Sequence, residues 1–404
     1  METVKKYHLL LFGFGFSYLG NWIHLIALNL LIWKLTESPA AMAGIYIIGP
    51  LARTLTSFFA GSIIDRSNKQ RLMVYVDLIR GALVLLIPFM SSIWLIYTLL
   101  FFINMASSFF APSSTYYISK YVPADDKQQF NSLLGMFSSG SFLIGPALAG
   151  LIISISSINT AIWINALTFF ICAWVIYKLP SVESQKRISN QPLTWNIIKS
   201  DYLVIYQFLR KETYFLSVFL SVQIALMIAF ALDSQEATFI KQNLQASDQI
   251  YGIMISITGA GAIAGGFAAT FFAKKFSTKQ YMMHGLFFTV LFYSLFFASP
   301  NIILAMVMFI GLGVSMSFSS AGYSTFYQKN VPTDLMGRFG SISSIFTNIL
   351  QMLFTLLLGV LADLFSLKII SLIFGSIAIL IALNFYFIMS TKHSFKLFKR
   401  TTSS

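Results

Sequence analysis

Charge is what this chain has least of. Only 10% of its 404 residues are Asp, Glu, Lys or Arg, where ordinary soluble domains carry about 25%. A soluble fold of that length would lack the polar surface to cover itself. Cysteine is nearly missing too. Cys172 stands alone in an apolar run, so it forms no intramolecular disulfide and reads as a small packing residue. There is no His-Glu-x-x-His, no cysteine-rich metal pattern, no phosphate-cradling Gly-x-x-x-x-Gly-Lys-Ser/Thr loop and no nucleophile elbow. These absences argue against direct ATP drive and against an enzyme, and no cofactor or metal is expected.

What is present is apolar length. Hydrophobic residues make up 57% of the chain and the mean hydropathy is +0.76. A helix crosses a ~30 Å hydrocarbon core with roughly 20 apolar residues, and only helices or closed barrels satisfy every backbone group there. Twelve continuous runs of that length can be drawn, from 8–33, 41–64 and 72–90 through 214–239 to 367–390. Continuous runs, not ten-residue alternations, favour helices over a barrel. The expectation is an all-α membrane protein of twelve spans. The polar stretch 180–213, with room for an amphipathic helix at 193–209, separates a first six-span half (1–179) from a second (214–391), and a basic tail (392–404) follows.

The net charge of +13 does not indicate nucleic acid. With the N-terminus in the cytoplasm, 22 of the 27 Lys and Arg fall on the inner side and only Lys34, Lys241 and Lys368 outside. That is the positive-inside bias of a plasma-membrane protein with both termini cytoplasmic. The bilayer and a small molecule are the expected partners, and the chain is expected to be a monomer.

The halves also repeat. Lys120, Val122, Pro123 and Asp125 recur as Lys329, Val331, Pro332 and Asp334, an offset of 209 that also pairs Phe130 with Phe339, Ser132 with Ser341, Phe137 with Phe346 and Gly150 with Gly359. Parallel repeats of this kind place a substrate site near the midplane between halves.

One segment breaks the apolar pattern sharply: Gly61, Asp65, Arg66, Asn68, Lys69 and Arg71, read as a short loop between the second and third spans. Asn68 tolerates left-handed backbone there comparatively well. The order resembles the loop between the second and third helices of major facilitator superfamily transporters, and the resemblance implies a cytoplasmic latch at Asp65 and Arg66. Gly140, Gly145, Pro146 and Gly150 in the fifth span resemble the antiporter motif of drug-efflux members. Phe110, Pro112, Val122, Pro123 and Asn131, with Val331, Pro332, Gly337, Arg338 and Asp363, follow the macrolide-efflux branch. The resemblance implies proton-driven export of an amphipathic compound. A siderophore, peptide or metabolite exporter in the same fold, or a non-transporting sensor or immunity protein, remains open.

Polar groups within spans are costly and therefore functional candidates. Tyr18, Asn21 and His24 share a face of the first helix, Arg53 lies inside the second, and Tyr323, Asn348 and Gln351 belong to polar stripes on the tenth and eleventh; these seven are expected to line a substrate cavity. Asp77 and Arg80, one turn apart, can pair with each other or with the latch, and a structural role is expected. Asp233 and Glu236 share a face of the seventh helix near its outer end and are the candidates for proton coupling.

Overall fold

The computed structural model describes residues 2–182, 195–272, 275–332 and 335–390, and is all-α. Fourteen helices follow in order: α1 (Glu2–Thr36), α2 (Pro39–Arg66), α3 (Lys69–Leu86), α4 (Ile93–Tyr121), α5 (Ala124–Ile155), α6 (Ile158–Lys178), α7 (Trp195–Lys211), α8 (Thr213–Asp233), α9 (Glu236–Gln242), α10 (Asp248–Phe272), α11 (Thr278–Ala298), α12 (Ile302–Asn330), α13 (Met336–Leu364) and α14 (Leu367–Ser390). Among the described residues, eleven segments are long and apolar enough to cross a membrane. This is a multi-pass membrane fold. The basic tail from Thr391 onward and residues 183–194 lie outside the described residues.

Helix starts follow local chemistry. The Ser38 hydroxyl accepts from the Ala41 N–H and Pro39 opens α2; Ser157, Asn301 and a Ser277–Gln280 capping box begin α6, α12 and α11. Each polar cap satisfies first-turn N–H groups that lipid would leave unmet. Large apolar side chains such as Trp94, Phe267, Phe271 and Phe387 stand exposed, the burial pattern of a protein whose solvent is hydrocarbon.

The chain forms two compact units, 1–192 with 246–256, and 193–245 with 257–404. In the first, α1 packs on α5 and α6, α3 on α4 and α6, and α2 on α4. Its core gathers Tyr7, Leu10, Leu11, Phe14, Met73, Tyr117, Phe130 and the free thiol of Cys172. In the second, α11 packs on α12 and α14, and α8 on α13 and α14. Rings of Phe215, Phe219, Phe326 and Phe339 stack or meet edge-on between α8, α12 and α13. The amphipathic α7 joins them through Phe208, whose ring lies 5.5 Å from Phe215.

Two boundaries differ from the sequence expectation. The charged segment after Gly61 is not a loop: α2 runs on to Arg66 and α3 starts at Lys69, leaving two connecting residues. Asn68 is extended (φ −69°, ψ 114°), not left-handed, because it is the N-cap of α3 and accepts from the Arg71 N–H at 2.9 Å. The span drawn at 214–239 is also broken. Its four consecutive polar residues, Asp233 to Glu236, end α8 and begin α9.

Candidate functional site

Each unit holds a cavity of its own. In the first, an open hollow of about 470 Å³ is lined from α1, α4 and α5, among others by Phe14, Tyr18, Ser114, Ile118, Lys127 and Asn131. In the second, an open hollow of about 410 Å³ is lined from α8, α12 and α13, among others by Gln223, Met227, Tyr323, Tyr327, Gly340 and Ser343. The repeat relates them residue by residue. Adding 209 takes Phe14 to Gln223, Tyr18 to Met227, Ser114 to Tyr323, Ile118 to Tyr327, Asn131 to Gly340 and Leu134 to Ser343. The repeat was traced in sequence through the fourth and fifth helices of each half and in Lys69-Gln70 with Lys279-Gln280. The 209-residue offset also relates lining residues of α1 to those of α8. It preserves the hollow while exchanging the chemistry that lines it. In the second cavity the Gln223 amide donates to the Tyr323 hydroxyl at 2.8 Å.

Of the expected cavity residues, Tyr18 and Tyr323 line these hollows; Asn21, His24, Arg53, Asn348 and Gln351 do not. Helical geometry gives the reason on α1. Three-residue steps drift by about 60° each at 3.6 residues per turn, so Tyr18 and His24 point apart. Asn21 is exposed, while both ring nitrogens of His24 are buried without a partner among the described residues. Arg53 is exposed, with a guanidinium nitrogen close to Gly49, which Asn104 of α4 also approaches. Asn348 and Gln351 are half-buried further along α13.

The acidic pair lies at the break between α8 and α9. Glu236 is 7% exposed, and Ser234, Gln235 and Thr238 around it are buried, so this is no solvated helix end. Tyr293 of α11 donates its hydroxyl toward Asp233 Oδ1 at 3.4 Å. Two carboxyls flanking a helix interruption inside an apolar span, with a tyrosine beside them, can hold and release a proton.

Asp77 and Arg80 pair as expected, at 3.0 Å and fully within the fold. The guanidinium also lies 3.9 Å from the centroid of the Phe169 ring, a contact that suits its planar cation. Sequence reading missed Asn29. It is 1% exposed, and its amide donates to the hydroxyls of Tyr46 (3.2 Å) and Tyr251 (3.0 Å).

At the charged segment between α2 and α3, the surroundings of Gly61 and the side chains of Asp65 and Arg66 lie outside the described residues. Lys69 sits 5.0 Å from the Tyr116 ring centroid. Gln70 donates to the carbonyls of Ile176 and Leu179, closing the open end of α6. Arg71 is exposed.

The motif in α5 is a close-packing device. α5 continues through Pro146. The next N–H, that of Ala147, donates to the Ser256 hydroxyl at 2.8 Å. A Cβ on Gly252 would meet the Pro146 carbonyl oxygen, and one on Gly150 would lie 3.0 Å from the Asp248 carbonyl oxygen. Gly145 lies against Trp22 of α1, whereas a Cβ on Gly140 would have no neighbour within 4 Å among the described residues.

The chain resembles known transporters along most of its length. It is 26% identical over 374 residues to the uncharacterized MFS-type transporter YfiS of Bacillus subtilis, covering 91% of this chain and 89% of that one. It is 25% identical over 181 residues to the putative bacilysin exporter BacE of Bacillus subtilis, 44% of this chain and 45% of that one. Among solved structures, the nucleoside transporter NupG superposes with a TM-score of 0.74 at 15% identity, over 95% of this chain and 99% of that one. A POT family transporter in complex with a thioalcohol-conjugated peptide gives 0.75 at 13%, over 97% and 96%. These structural likenesses establish the fold. The Major Facilitator Superfamily model matches residues 10–354 and 236–402; the chain belongs to the Major Facilitator Superfamily.

Proposed function

We propose that the chain is a twelve-span, monomeric secondary transporter of the plasma membrane that exports a small organic molecule by alternating access, with both termini cytoplasmic. The observation that carries this reading is the pair of repeat-equivalent cavities, one in each unit, lined by aromatic and hydrogen-bonding side chains. Export is favoured by the likeness to a putative bacilysin exporter and by the packed motif at Gly145, Pro146 and Gly150. Peptide-like or other small metabolites are the cargo we favour over macrolides: a POT family transporter with a bound peptide derivative shares the fold, and a putative bacilysin exporter is among the relatives.

Inward proton movement is the proposed drive, with Asp233 and Glu236 carrying the proton. One charge crossing 100 mV is worth about 2.3 kcal/mol, enough for roughly fifty-fold accumulation. Asp65 and Arg66 latch the inner gate in this scheme.

A deletion strain screened for intracellular retention of peptides, metabolites and drugs, with and without a proton uncoupler, tests the reading. Higher retention of a restricted chemical class, abolished as a difference by the uncoupler, is expected. Identical retention profiles in both strains would sink it.

A further inference from the structure

We propose that the cavity of the first unit takes an anionic group, a carboxylate or phosphate, with Lys127 as its counter-ion. The inference rests on the transporter reading and names the charge class of its cargo.

Among the described residues, Lys127 is the one charged side chain lining either cavity. It is half-buried in the first turn of α5, and no carboxylate among the described residues pairs with it. The two acids beside it in sequence are not cavity residues: Asp125 is exposed, and Asp126 accepts the Tyr7 hydroxyl at 2.7 Å. The repeat supplies an internal comparison. The position equivalent to Lys127 is Met336, and the second cavity is lined by neutral groups alone.

The surrounding hydroxyls sharpen the ligand class. Ser114, Thr115 and Ser119 donate to carbonyls of their own helix, so they turn acceptor lone pairs to the cavity. Tyr18 and Asn131 keep donors free among the described residues. A cation with two neutral donors suits an anion, three hydroxyl acceptors suit amine or amide N–H groups, and Phe14 and Phe110 suit an apolar body. A small acid that also carries N–H donors satisfies all three at once.

The test uses the full-length protein in lipid nanodiscs and measures binding of dansyl-dialanine and of its C-terminal amide by fluorescence polarisation. At least tenfold tighter binding of the acid is expected. Lys127→Gln should bring that ratio to about one while leaving amide binding unchanged, and Lys127→Arg should retain it. Repeating the measurement in phosphatidylcholine and in phosphatidylglycerol discs separates sources: displacement of the acid probe by phosphatidylglycerol, dependent on Lys127, identifies a lipid phosphate as the natural anion. An acid-to-amide ratio unchanged in Lys127→Gln overturns the proposal, as does a wild type that does not prefer the acid, absence of binding by either probe included. Acid binding that is Lys127-dependent without transport of the probe overturns the transporter reading instead.

Discussion

Tyr293 on α11 reaches Asp233 at the end of α8 across 3.4 Å, and this hydroxyl ties the broken span to its neighbour. If Asp233 and Glu236 carry the coupling proton, Asp233→Asn and Glu236→Gln should abolish concentrative, proton-driven transport. Cargo–cargo exchange across vesicles without a gradient should survive, because no proton need move. Tyr293→Phe removes a long hydrogen bond to a carboxyl group, worth at most about 1.5–3 kcal/mol; it should slow transport no more than about a hundredfold. Radiotracer uptake and counterflow in proteoliposomes separate these outcomes.

Gly252 leaves no room for a side chain, since a Cβ there would meet the backbone oxygen of Pro146. Backbone cannot rotate aside as a side chain does. Gly252→Val should therefore cost about 1–3 kcal/mol through overpacking and suppress transport. Ser256→Ala removes only the hydroxyl that accepts from Ala147 and should cost about 1 kcal/mol. Thermal unfolding in detergent, read beside transport rates, distinguishes the two.

The Asp77–Arg80 pair is buried, so its halves depend on each other. Asp77→Ala would strand a guanidinium in the fold at a cost of about 3–5 kcal/mol. Replacing both, Asp77→Ala with Arg80→Met, should recover much of the lost stability. Equal loss in the single and double variants would show that the pair does not act as a unit.

Asn68 and Asp65 lie three residues apart and should behave differently. Asn68→Ala removes the cap of α3 and should cost about 0.5–2 kcal/mol with transport proportionate to the folded protein. Asp65→Asn should leave stability near wild type and abolish transport, as a latch requires. Melting curves and initial rates check both.

The spans were legible because lipid imposes one strong rule: about twenty apolar residues must run together. The break after Asp233 was not read, because the apolar run around its four polar residues masked it. The charged segment at Gly61 misled in one respect, because charge density marks a membrane boundary but not where hydrogen bonding ends. Partnerships across the chain were not readable. Asn29 meets Tyr251 across 222 residues, and no local pattern encodes that meeting. The cavities occupied a middle ground. Their positions follow the 209-residue repeat, but the repeat was visible only where identity survived; Phe14 and Gln223 share a place and no chemistry.

Proton-coupled export of a small acid is tested most directly in everted membrane vesicles loaded with a pH-sensitive dye. Vesicles energised to an acidic interior are given dansyl-dialanine, and luminal pH and probe accumulation are followed together. The account predicts probe uptake accompanied by proton efflux, both lost in Asp233→Asn and on adding an uncoupler. Probe accumulation that persists undiminished after the proton gradient is collapsed would contradict it.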